Sequence, residues 1–287
     1  MIRRNVVSVV AVCGALAVGI AVGGGPLSDL GHAAPDRSTT AASVVPEAVR
    51  AQADLGSDFA RSVGPTLTSG VLSGQRVAVV AMPGAEERVA ALVAQVKAAG
   101  GSIGSVVDVQ PTLADTSRKT FADTISSRLA GQYAGRVARG LTTYERLGQV
   151  VGATYAAHVT IGAYTADQQT ASKTLVAAKL VKVSQSSAPA RLVLVVLGDH
   201  VDETVLPAFV RGLGRAADGL VAVGDSASAT GDLKVLRAQK WDGWFASVDG
   251  VETTMGQVAT PLALARQVHR LGGSFGASGF GGITSLR

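Results

Sequence analysis

Hydrophobic and polar positions alternate between two periods along residues 75–110, QRVAVVAMPGAEERVAALVAQVKAAGGSIGSVVDVQ. Val77 to Ala81 is a continuous apolar run of the kind buried on both faces of a parallel sheet, and Pro83-Gly84 stops it. Glu86 and Glu87 then stand where a helix N-terminus favours negative charge. Val89, Leu92, Val93 and Val96 recur at helical spacing, and Lys97 precedes Gly100-Gly101 at the other end. A second apolar run, Ile103 to Val109, follows closely enough for a right-handed crossover to lay it parallel to the first. The stretch predicts a strand, a helix and a strand.

The same alternation continues downstream. Asp115 to Ala130 carries Phe121, Ile125 and Leu129 at intervals of four, and Thr142 to Ala157 places Tyr144, Leu147, Val151 and Tyr155 on one face. Asp167 to Lys179 reads as a third helix, so residues 115–179 form a helical insertion. Leu180 to Val183 is a brief strand and Arg191 to Leu197 the most strand-like run in the chain. A helix over Thr204 to Ala217, a strand at Leu220 to Val223, a helix at Leu233 to Ala238 and a strand at Trp244 to Val248 follow. Pro261 opens a final helix, Leu262 to Arg270, closed by Gly272-Gly273. The prediction is an α/β fold over residues 75–273: a doubly wound, mostly parallel sheet with helices on both faces. Residues 274–287 read as a Gly-rich mobile tail.

Ahead of this domain the pattern changes twice. Val6 to Gly25 is a run of twenty residues without a charge, which at ~1.5 Å per residue spans a ~30 Å hydrocarbon core. Residues 1–30 are therefore expected to form a single membrane anchor. Arg3 and Arg4 precede it, which places the N-terminus in the cytoplasm and the α/β domain outside the membrane. A cleaved signal peptide is the alternative, with Gly31-His32-Ala33 as the cleavage site. Ala15, Gly19 and Gly23 repeat at every fourth residue, a spacing that would let two copies pack as a homo-oligomer. Residues 31–74 are rich in Ser, Thr, Ala, Gly and Pro and read as a linker. A short helix, Glu47 to Ser62, is expected there, interrupted by Gly56.

Composition narrows the function classes. The formal charge is +5 and aromatic residues make up 4% of the chain. The basic residues read as spread along the chain without interleaved aromatics, so no nucleic-acid partner is expected. The single cysteine, Cys13, lies in the apolar run, which excludes an internal disulfide or a thiolate metal centre in the domain.

In a doubly wound sheet, ligands bind at the carboxyl ends of the strands. Those loops carry Met82-Pro83-Gly84, Asp108, Asp199-His200, Gly224-Asp225 and Asp249-Gly250. None completes a GxGxxG, GxxxxGK[ST] or GxSxG motif, so neither a nucleotide cofactor nor catalysis is expected. For the aspartates, the reading as helix caps and turn residues outweighs a catalytic one. One cluster has the donors for a cation: Asp199, His200, Asp202 and Glu203 offer an imidazole and three carboxylates within five positions, and imidazole suits copper or zinc. Against that, Asp202 and Glu203 also fit the first turn of the following helix, where acidic side chains favour the dipole.

In order and spacing, the basic anchor, the linker, the segment VAVVAMPGAEERVAALVAQVKAAGGSIGSVVDVQPTL at Val77 to Leu113 and the block SVDGVETTMGQVATPLALARQV at Ser247 to Val268 resemble the actinobacterial MctB family. These are copper transport proteins of the outer envelope. The resemblance implies a membrane-associated protein, with the outer membrane as one location, that limits copper accumulation as a transport or pore-associated component. Copper is then a transported ion rather than a resident cofactor. A non-catalytic envelope scaffold that binds a partner is the alternative. The linker helix is shorter than the coiled-coil-like segment of the family, and the tail SFGASGFGGITSLR lacks a histidine.

Overall fold

The computed structural model describes residues 47–133, 135–158, 162–241 and 244–282. The anchor expected over residues 1–30 lies outside the described residues, as do residues 31–46 of the expected linker. Among the described residues, no helix is long and apolar enough to cross a membrane.

The chain enters through α1 (Glu47–Thr68), followed by β1 (Arg76–Ala81), α2 (Glu86–Ala98) and β2 (Ser102–Val109). A short α3 (Pro111–Ala114) and a 3-10 turn lead into α4 (Lys119–Gln132), α5 (Thr143–Tyr155) and α6 (Ala166–Ala177). Next come β3 (Val181–Ser186), β4 (Leu192–Val196), α7 (Leu206–Arg215), β5 (Gly219–Val223), α8 (Asp232–Arg237), β6 (Phe245–Val248), α9 (Thr254–Gln267) and β7 (Gly273–Phe275). The sheet order is β3-β2-β1-β4-β5-β6-β7. Every neighbouring pair is parallel except β2 with β3. The order reverses between β1 and β4, so the doubly wound topology holds, with one antiparallel edge strand.

Strand alternation assigns each face its own cover. Ala78, Val80 and Met82 of the β1 segment and Val193 and Val195 of β4 pack with Leu147, Val151, Phe209 and Leu213 of α5 and α7. Val77, Val79 and Ala81, with Leu192, Leu194 and Val196, pack on the opposite face with Leu92 and Val96 of α2 and Ala259, Ala263 and Leu264 of α9. Two-sided burial is why these strands read as unbroken apolar runs. The helices between β2 and β3 supply much of one layer, and α5 is buried almost all round. It crosses α7 at backbone contact: a Cβ on Gly148 would lie 2.0 Å from the Phe209 carbonyl oxygen.

Four local expectations are corrected. α1 runs on through Gly56 and Pro65 to Thr68, because it lies along α9, where a Cβ at Gly64 would meet Val258 at 2.7 Å and one at Gly56 would meet Met255 at 3.5 Å. These glycines permit close helix packing, and that packing outweighs their low propensity. α9 begins at Thr254, with the Thr253 hydroxyl accepting from Gly256 N, and carries Pro261 in its interior. The cap and the buried face of α9 outweigh the hydrogen bond that the proline removes. Phe121, expected on the buried face of its helix, is 41% exposed, whereas Leu129 is buried as expected and Ala122 and Ser126 share its face. The tail read as mobile is folded as far as residue 282. Gly273–Phe275 pairs with β6 as β7, and Gly281 N bonds back to Ser274 O at 2.7 Å.

Candidate functional site at the carboxyl edge of the sheet

The turns after β1 and β4 meet where the strand order reverses, and their backbones touch. Asp199 N donates to Pro83 O at 2.7 Å, and a Cβ on Gly198 would fall 2.1 Å from that same oxygen. Gly84 sits at φ +78°, and a Cβ there would lie 2.4 Å from the Asp199 carboxylate. Asp199 thus lies over the entrance to α2.

Arg88, in the first turns of α2, spans the neighbouring loops. Its Nη2 pairs with Asp225 Oδ2 at 2.6 Å and its Nη1 donates to Leu197 O at 3.2 Å. Asp225 Oδ1 accepts from both Ser228 N and Ser228 Oγ at 2.8 Å. Burial alone would raise the Asp225 carboxyl, but the Ser228 donors and the Arg88 charge outweigh it and hold the group below its ordinary range. At the end of β2, burial raises the Asp108 carboxyl against the opposing pull of Lys182, its cross-strand neighbour.

His200 is the exposed imidazole of this edge. Its Nδ1 lies 2.7 Å from Asp232 Oδ1, with the His200 side chain 70% exposed and that of Asp232 only 6%. Val201 N donates to the other carboxylate oxygen at 3.0 Å. In the neutral ring, an Nδ1–H donated to the Asp232 carboxylate leaves the lone pair on Nε2. Asp202 turns elsewhere: its Oδ1 accepts from Thr204 N at 2.7 Å and Thr204 Oγ1 at 2.5 Å, and Thr204 holds its carboxyl below the usual range. Asp202 lies in the turn ahead of α7 rather than in the first turn of that helix, which holds no acidic residue. Glu203 is exposed. The four residues read from the sequence as cation donors therefore face different neighbours. Among the described residues, no group of three or more His, Cys, Asp or Glu side chains is placed to hold a metal ion.

A family model described as copper transport outer membrane protein, MctB, matches residues 1–281. The chain belongs to this family. MctB membership supports a role in copper transport or homeostasis at the cell envelope. No curated protein matches the chain.

Two features of this edge carry no mark in the sequence. Asp232 is simply the first residue of α8, yet it is the group that orients His200. Arg237 of α8 and Asp249 after β6 form a buried ion pair at 3.0 Å, with the side chains 7% and 1% exposed. Periodicity gives no sign of either pairing, because the partners lie on separate crossovers and meet only once the sheet is assembled.

Proposed function

We propose that this MctB-family chain limits copper accumulation at the envelope as a transport-associated component, and that His200 is the group of the α/β domain that contacts copper in passage. The orientation of His200 carries the reading. Imidazoles that ligate metals commonly donate their second N–H to a carboxylate, which fixes the ring and raises the basicity of the free nitrogen. His200 has that arrangement through Asp232. Asp199, Asp202 and Glu203 stand exposed beside it in the chain and add negative potential that attracts a cation. One protein ligand with solvent completing the shell suits a transient contact, because transport needs release as well as capture.

In this reading residues 6–25 anchor the protein, Arg3 and Arg4 keep the N-terminus inside, and the α/β domain stands on the far side of that membrane. The domain is an open three-layer sheet filled on both faces, so it serves beside a conducting path rather than as its wall. No catalytic step belongs to the proposal.

The test is cell-associated copper at matched external copper. Four strains are compared: the parent, one lacking the gene, and two complemented with the full-length chain, wild type or His200→Ala. The expected result is excess copper in the deletion strain, reversed by wild type and not by the variant. Equal copper in all four would overturn the reading. A second reading, an envelope scaffold that binds a partner or another copy, is favoured by the start of α1, where residues 50–55 are all exposed, Leu55 to 63%. Unchanged copper together with cross-linking through Leu55→Cys would move the assignment there.

A further inference from the structure

The segment from Thr116 to Arg146 holds six basic residues, Arg118, Lys119, Arg128, Arg136, Arg139 and Arg146, against Asp123 and Glu145. Its net charge is +4, with Arg118 paired to Asp115 just ahead of it and Arg146 to Asp123. Within this segment, between α4 and α5, lies a cavity of about 450 Å³ whose lining includes Ser127, Gly131, Gly135, Arg139, Gly140 and Arg146. That is the size of a small-molecule site, ~300–1,000 Å³. Its charged lining residues are the two arginines.

The cavity is held by buried groups. Gln149, 6% exposed, accepts from Ala138 N at 3.0 Å and donates to Arg136 O at 3.2 Å, while Val137 between them is buried in the core. Arg139 thus projects from a fixed backbone, and among the described residues it makes no hydrogen bond or ion pair. Arg146 is positioned by the Asp123 carboxylate and by Ser126 Oγ at 3.3 Å. Gly131 lies inside α4, where glycine costs roughly 0.5–1 kcal/mol relative to alanine. A Cβ there would meet nothing within 4 Å, so packing does not require it, and a side chain would enter the open volume instead. The same openness holds at Gly135 and Gly140.

We propose that this groove binds a phosphomonoester carried on a sugar-sized polar body, with Arg139 as the phosphate contact. A guanidinium matches phosphate oxygens in a two-pronged geometry. Besides the two arginines the walls are glycine, alanine, serine and Val137 with no aromatic ring, so the ligand is held mainly by charge and polar contacts. Two sources share this chemistry, a soluble sugar phosphate and a phosphoinositide headgroup in a membrane.

The experiment uses the full-length chain in neutral detergent. Glucose 6-phosphate and glucose are titrated by calorimetry, and co-sedimentation is measured with phosphatidylcholine vesicles with and without phosphatidylinositol 4-phosphate. Saturable binding is expected for one or both phosphate probes and not for glucose or plain vesicles, and which probe binds identifies the source. Arg139→Ala should weaken binding at least about tenfold, and Gly131→Leu should abolish it by filling the groove. Arg139→Ala should keep the wild-type unfolding midpoint and Gly131→Leu should keep or raise it, since neither position packs against the core and leucine is the better helix former. No saturable binding of either phosphate probe, or equal binding by wild type and both variants, would overturn the proposal.

Discussion

Replacing Arg237 with methionine should be among the most damaging single changes to the carboxyl edge of the sheet. Arg237 donates through Nε to Ser247 Oγ at 2.9 Å, through Nη1 to Ser278 Oγ at 2.6 Å, and through Nη2 to Asp249 Oδ1 at 3.0 Å and Phe275 O at 2.9 Å. Asp249 Oδ2 accepts from Ser278 N and Oγ, both at 3.0 Å. Without the guanidinium, Oδ1 of a carboxylate only 1% exposed loses its ion pair. Breaking one side of such a buried pair costs about 3–5 kcal/mol. At ~2–4 °C per kcal/mol for a domain of this size, the unfolding midpoint should fall by about 6–20 °C. Arg237→Lys should cost less, since it keeps a charge but not the fork that reaches four acceptors. Asp249→Asn added to Arg237→Met should recover part of the loss, because no unpaired charge then remains buried. The assay is urea and thermal unfolding of the full-length chain followed by circular dichroism, arranged as a double-mutant cycle. Residues 276–282 are tied to the sheet partly through Ser278, so protease cleavage in the tail should accelerate alongside. A loss below about 1 kcal/mol for Arg237→Met, or costs that simply add in the cycle, would refute the claim that this network pins the tail.

Three further changes test other contacts. Gly148→Ala pushes a methyl into the Phe209 carbonyl at the α5–α7 crossing and should destabilise by about 1–3 kcal/mol; a neutral effect in denaturant unfolding would show that the helices part easily. Gly84→Ala combines left-handed strain of about 1–2 kcal/mol with a clash against Asp199, so adding Asp199→Ala should return only the clash part, as read from unfolding midpoints. The Asp225 carboxyl, held below its usual range, stabilises the fold above the unfolded carboxyl value of ~3.9 and loses that contribution as pH falls through its lower folded value. Asp225→Asn should therefore be less stable than wild type at pH 7, with the gap narrowing below about pH 4, and a gap constant with pH would reject the assignment.

The sheet was legible because burial on both faces leaves only one signature, an unbroken apolar run. β1, β4 and β5 each carry it, and the helix ends between them are marked by Glu86-Glu87 and by glycines. What stayed hidden is set by tertiary packing. Gly56 reads as a break until Met255 of α9 is placed against it, and Pro261 reads as a helix start until the face of α9 is seen buried on the sheet. β7 spans only three residues in a Gly-rich stretch, too short for any period. Its place depends on β6 and on the Arg237–Asp249 pair, neither of which is local to it.

The candidate site divides along the same line. Sequence spacing pointed to the loop Gly198 to Glu203, but adjacency in the chain is not convergence in space. Asp199 turns to Gly84 and Asp202 to Thr204, whereas His200 finds its orienting carboxylate 32 positions away. The crevice that a doubly wound sheet usually offers to a ligand anion lies between the ends of β1 and β4. Here the chain's own groups occupy it. Asp199 lies over the start of α2, and Arg88 is bonded across to Leu197 and Asp225. A phosphate arriving there would have to displace one carboxylate and break an ion pair, whereas the Nε2 of His200 displaces nothing to accept a cation. In the proposed reading, the loops that carry ligands in related architectures therefore favour a metal ion at the rim over an anion in the crevice.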